Sequence, residues 1–177
     1  MGALTSAVLD RWATDKAFGF AEVNANVYEI DLKLRNHLED VLEAYCDQHQ
    51  DQLNVNIVDQ DFIEQAVINR LLGTGSRFTH AILNPPYKKI NSSSDHRLIM
   101  RRLGIESVNL YSAFVSLALE LMQPGGQLVA IIPRSFCNGP YYRPFRDHIL
   151  DGSAIRRIHL FASRTKAFKD DDVLQEN

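Results

Sequence analysis

The 177-residue sequence holds only two cysteines, Cys46 and Cys137, far apart and without metal-ligand spacing. A disulfide scaffold and a zinc site are both disfavoured, and structural thiols in a reducing compartment, hence a cytoplasmic protein, are expected. No apolar run approaches the ~20 residues that a membrane-crossing helix needs, and no secretory leader opens the chain, so no membrane partner is expected. The G-x-G-x-x-G dinucleotide fingerprint is missing throughout. So is an excess of positive charge: 19 Lys and Arg stand against 22 Asp and Glu, a net charge of −3, which does not advertise nucleic-acid binding by itself. The six histidines are scattered without a triad or a metal spacing, and none is assigned a role.

What remains is ordinary globular material, 45% hydrophobic and 23% charged, of a length that fits one domain with a real core. Helical and strand periodicities alternate along it, with no repeat and no internal boundary. Helices are predicted over residues 4–13, 31–50, 61–72, 107–122 and 142–150. Strands are predicted over 26–30, 55–58, 80–83, 128–132 and 155–161. Residues 73–76 read as a turn and 91–95 as a polar loop, while Pro124-Gly125-Gly126 reads as the stop of the 107–122 helix. This order implies an α/β protein built on a parallel sheet.

Asn84-Pro85-Pro86-Tyr87, directly after the apolar Ala81-Ile82-Leu83, is the most informative stretch. An Asn side chain offers a carbonyl acceptor. Pro85 fixes the backbone and keeps a carbonyl while having no N–H to interfere. The Tyr87 ring can stack on a π-face. Two acceptors beside a stacking platform are what a planar group's exocyclic amine needs to be held. The plainer reading is a strand exit with two prolines.

Asn-Pro-Pro-Tyr after a buried strand resembles the catalytic motif of S-adenosylmethionine-dependent amino methyltransferases. The surrounding chain is similar to the adenine-specific DNA methyltransferases of restriction–modification systems. The resemblance implies a class I, Rossmann-like methyltransferase fold and transfer of a methyl group from S-adenosylmethionine to the N6 amine of a flipped-out adenine. It implies cofactor contacts at Glu29 and Ile30, where an acidic residue at a strand's carboxyl end can accept from ribose hydroxyls, and at Asp61 and Phe62, which would take the adenine amine and ring. Each has a structural alternative: a surface or capping carboxylate at Glu29, and a helix cap with a core phenylalanine at Asp61-Phe62. Asp31 suits a cap better than Glu29 does.

Phe168 is the candidate for the second aromatic against the extruded base, with a hydrophobic anchor as the equal alternative. Lys88, Lys89, Arg101 and Arg102 are candidates for DNA phosphate contacts, or else a solvated face.

The same resemblance implies that the chain is truncated at both ends. Met1-Gly2-Ala3 resembles the tail of a glycine-rich turn whose strand would lie mid-sheet, between the Tyr28 and Leu83 strands. A target-recognition domain would follow Asn177 and supply the contacts to double-stranded DNA, and a complementary polypeptide is one source for the missing strand. Cofactor binding by the chain alone is expected to be weak. Two rival functions remain: a protein glutamine methyltransferase with the same motif, and a non-catalytic remnant or assembly half of a split enzyme.

Overall fold

The computed structural model describes residues 2–15, 21–75 and 77–161. Phe168 lies outside them. Helix α1 (Ala3–Thr14) is followed by β1 (Val23–Tyr28), α2 (Leu32–Gln48), β2 (Leu53–Val58) and α3 (Phe62–Leu72). Then come β3 (Phe78–Leu83), α4 (Asp95–Arg101), α5 (Leu110–Glu120), β4 (Met122–Ala130), a 3-10 turn (Arg134–Cys137) and α6 (Arg143–Gly152).

The helix starts follow the sequence. Asp31 accepts from the Lys33 and Leu34 amides and so caps α2. Asp61 does the same for α3 through the Ile63 and Glu64 amides. Each relieves two of the donors that a helix N-terminus leaves without an internal partner. Gly73 ends α3 in the left-handed conformation that a side chain disfavours.

The strands form two separate parallel pairs, β1 with β2 and β3 with β4. Among the described residues, β1 and β3 therefore each keep one edge without a ladder partner. Parallel pairs need crossover connections, and α2 and α5 supply them. Leu9 and Trp12 of α1 pack with Leu38 and Leu42 of α2 over β1–β2. Tyr111 and Val115 of α5 pack with Phe145 and Ile149 of α6 beside β3–β4. A third cluster joins α3, α4 and α5 through Ile63, Val67, Met100, Ala113 and Leu117.

Three expectations are corrected. Among the described residues the predicted strand at 155–161 has no strand pairing, and Ile155, Ile158, Leu160 and Phe161 are exposed. Apolar content alone does not bring a segment to a sheet edge. The predicted 107–122 helix starts only at Leu110, because Ile90 N–H bonds Val108 O and Leu110 N–H bonds Lys88 O, holding 88–90 against 108–110. Pro124-Gly125-Gly126 does not separate that helix from a later strand. It lies inside β4 as a bulge: Phe78 pairs with Met122, but His80 pairs with Gln127. A Cβ on Gly126 would sit 3.1 Å from Thr79 O, so a side chain there would push the two strands apart. Helix α4, capped by Ser94, was not anticipated.

Candidate functional site

β3 ends at Leu83, whose carbonyl still accepts from Ile131 N–H at 2.9 Å. Asn84 is thus the first residue to leave the ladder, and it is exposed, while Pro85 is buried beneath it. The Tyr87 hydroxyl lies 3.0 Å from Asn84 Oδ1 and 3.3 Å from Ile131 O. Its ring meets buried Tyr111 edge-on, with centroids 6.3 Å apart. The bonds of Lys88 and Ile90 to 108–110 fix the far side of the loop. The four motif residues are therefore a tethered unit at the carboxyl end of a parallel strand, where open α/β sheets place their ligands.

Glu29 follows β1 and extends its pairing, with its N–H bonded to Val58 O at 3.1 Å. Its Oε1 accepts from the Asp31 amide at 2.9 Å, so Glu29 props up the residue that caps α2. Ile30, beside it, is exposed. Asp61 divides its work: Oδ1 caps α3, and Oδ2 faces His96 Nε2 of α4 at 3.2 Å. The capping alternative for Asp61 is thus a fact of the structure, and its second oxygen is engaged with His96. Asp59, its neighbour, is paired with Arg35 at 3.2 Å. Phe62 stacks on Phe114 of α5 at 4.9 Å and meets Tyr28 edge-on at 5.0 Å. Burial pushes the Tyr28 phenol above its ordinary range.

Neither Tyr111 nor Phe114 was singled out from the sequence as a site residue. They lie one turn apart on α5, so they share a face. Tyr111 touches the motif's Tyr87 and Phe114 touches Phe62, so one helix joins the two candidate half-sites. Their only signal in the sequence was helical periodicity, which looks the same for a core stripe. Burial pushes the Tyr111 phenol well above its ordinary range, so it stays protonated. Asn109, the residue before α5, bonds the Tyr142 hydroxyl through Nδ2, while its Oδ1 is buried with no partner among the described residues.

The basic segment is less free than its composition suggests. Arg97 and Arg101 both pair with Glu106, Arg101 Nε at 2.8 Å. The Arg101 hydrogen bond, with Arg97 assisting, holds the Glu106 carboxyl below its usual range. Arg101 therefore ties α4 to the segment after it, where a solvent-facing phosphate contact was expected. Lys88, Lys89 and Arg102 are exposed. A hollow of about 510 Å³ lies elsewhere, lined by Arg134, Ser135, Cys137, Asn138 and Leu160, and it includes none of the predicted site residues. Asn84 opens onto surface, not into that hollow.

For the adenosine half of S-adenosylmethionine the chain offers the Glu29 and Asp61 carboxylates and the Phe62 ring, with Asp61 Oδ2 shared with His96, Glu29 Oε1 with the Asp31 amide and Phe62 with Phe114. At the other end, Gly2 adopts φ 75° before α1, and a Cβ there would lie 2.9 Å from Leu38 Cδ1. The left-handed backbone at that position favours glycine.

The family model described as Eco57I restriction-modification methylase matches residues 9–168. The chain belongs to that family. This Eco57I-type methylase chain is 50% identical over its whole length to the type II methyltransferase M.BsuBI of Bacillus subtilis, covering 36% of that protein. It is 42% identical, again over its whole length, to the type II methyltransferase M.PstI of Providencia stuartii, covering 35% of it. A modification methylase, CviBIII of Paramecium bursaria Chlorella virus NC1A, is 29% identical over 64% of the chain. The methylase chain thus spans about a third of the length of the curated relatives it matches. No solved structure matches it.

Proposed function

We propose that this chain carries the catalytic motif of an enzyme that methylates the N6 amine of adenine in DNA, within a restriction–modification system. The observation that carries the reading is the exposed Asn84 carboxamide on a tethered loop at the end of β3, linked through α5 to the Asp61–Phe62 pair. Membership of a methylase family supports it.

S-adenosylmethionine, when bound, supplies an electrophilic methyl group; Glu29, Ile30, Asp61 and Phe62 would hold it. The rest of the chemistry is positioning. The adenine amine is a poor nucleophile because its lone pair is delocalised into the ring. Asn84 Oδ1 and the Pro85 carbonyl accept its two N–H groups, favour pyramidal nitrogen and aim the lone pair. The methylated product cation is acidic and gives its proton to water, so no tuned general base is needed. A base within a duplex cannot reach such a loop, and the target must be flipped out. Tyr87 offers a ring for it, worth about 1–3 kcal/mol by base stacking. Phe168 would face the other side of the base. Lys88, Lys89 and Arg102 lie beside the loop for phosphate contact, and Arg101 would join them only by leaving Glu106.

A Rossmann-like sheet belongs to the same reading. A further strand would pair with the open edges of β1 and β3, and a target-recognition domain would read double-stranded DNA, both supplied by residues beyond this chain or by a complementary polypeptide. A cytoplasmic location follows. Among the described residues no helix is long and apolar enough to cross a membrane.

The test offers adenine-containing DNA and a glutamine-bearing release factor together to the native polypeptide that contains this chain, with methyl-labelled S-adenosylmethionine. Label on the adenine N6 is expected. Label on glutamine alone would overturn the reading in favour of protein methylation, and label on neither would favour an assembly role.

A further inference from the structure

A phenol has one proton, yet the Tyr87 hydroxyl sits 3.0 Å from Asn84 Oδ1 and 3.3 Å from Ile131 O, both acceptors. It cannot satisfy both fully. A half-turn of the Asn84 amide exchanges oxygen for nitrogen in nearly the same volume, and the surrounding network decides between the two. After that turn, Asn84 Nδ2–H donates to the Tyr87 oxygen and Tyr87 O–H donates to Ile131 O. Each of these donors then has its own acceptor.

The end of this chain of bonds is rigid. Ile131 N–H is bonded to Leu83 O at 2.9 Å, so its carbonyl is fixed by the β3–β4 pairing just past the ladder. Tyr87 is held from the side by Tyr111, which is buried. The Asn84 side chain is exposed on its other side. With Nδ2 turned inward, Oδ1 points outward, to where a substrate amine must arrive.

We propose that the Tyr87 hydroxyl is a positioning group that sets the Asn84 amide, relaying its N–H to the Ile131 carbonyl and presenting Oδ1 to the substrate amine. This rests on the methyl-transfer reading above. It gives the tyrosine a second task, separate from stacking, that a phenylalanine ring could not perform.

The test is Tyr87→Phe, which keeps the ring and its packing on Tyr111. In this chain, labelled with ¹⁵N, the Asn84 side-chain amide protons are expected to exchange more slowly than those of exposed Asn24, and Tyr87→Phe should abolish the difference. Equal exchange in the unsubstituted chain would overturn the relay, whatever its activity. In the native polypeptide, Tyr87→Phe is expected to lower kcat about tenfold with KM for DNA and the Kd for S-adenosylmethionine within twofold. An unchanged or increased kcat would overturn the proposal. An increase would mean that the hydroxyl instead occupies Oδ1 and must be displaced. If the unsubstituted polypeptide transfers no methyl group to adenine, the functional reading fails, and the exchange measurement still decides the relay.

Discussion

Helix α5 buries seven of its eleven residues, including Ser112 and Ser116, whereas α2 runs for seventeen residues and buries only Leu38 and Leu42. The first lies between two hydrophobic clusters and has a neighbour on nearly every side. The second covers β1–β2 from outside. The two helices serve the candidate site in correspondingly different ways. α5 holds rings against Tyr87 and Phe62. α2 offers only its capping residue, Asp31, to which Glu29 is bonded. A helix enclosed on all sides can fix the geometry of groups on two loops at once, while a surface helix fixes little beyond its own first turn. The rings proposed to face the target base and the cofactor adenine, Tyr87 and Phe62, are therefore both held by packing on α5, while the Glu29, Asp31 and Asp61 carboxylates accept hydrogen bonds from backbone amides.

The largest break in that contrast should come from Tyr111→Ala. Emptying so buried a ring costs about 3–5 kcal/mol, read as a fall in the denaturation midpoint. A loss below about 1 kcal/mol would show that α5 is not the shared support.

A finer comparison pairs Asp61→Ala with Asp31→Ala. Each removes one helix cap and should cost about 1 kcal/mol. Only the Asp61 variant removes the acceptor proposed for the cofactor adenine, so only it should weaken S-adenosylmethionine binding, by about tenfold. Equal binding by calorimetry in the two variants would reduce Asp61 to a cap.

The smallest effect concerns Glu106. Its carboxyl is held below the usual range by Arg101 and Arg97, so the ionised form is favoured by folding. That contribution is present above the unfolded value of about pH 4.3 and fades as pH falls toward the lower folded value. It is small, because the pair is partly exposed. Glu106→Gln should therefore flatten the acid limb of stability slightly while leaving Asn84 and Tyr87 untouched. An identical acid limb would show that the pairs contribute nothing.

The local geometry of the candidate site was legible where it depends on neighbouring residues. Asn84 to Tyr87 announce themselves by residue type after an apolar strand, and the caps at Asp31 and Asp61 follow from side chains that compete for nearby amides. The illegible parts depend on partners distant in sequence. Arg101 looked available for phosphate because Glu106, five residues on, is not at a helical pairing interval. Pro124-Gly125-Gly126 looked like a boundary because a bulge is defined by the strand opposite, here at Thr79. Residues 155–161 have the apolar side chains of a strand, yet no described strand pairs with them, because apolar content does not by itself bring a segment to a sheet edge. Tyr111 and Phe114 were visible only as apolar spacing, which does not distinguish filling a core from bracing a site.

The central claim is that Asn84 acts on the reacting amine and leaves the cofactor alone, and substituting that residue tests it most directly. In the native polypeptide, Asn84→Ala should lower kcat for methyl transfer to adenine by about 100-fold or more, with the Kd for S-adenosylmethionine within about twofold of the unsubstituted enzyme. Methyl transfer within tenfold of the unsubstituted rate would contradict the account.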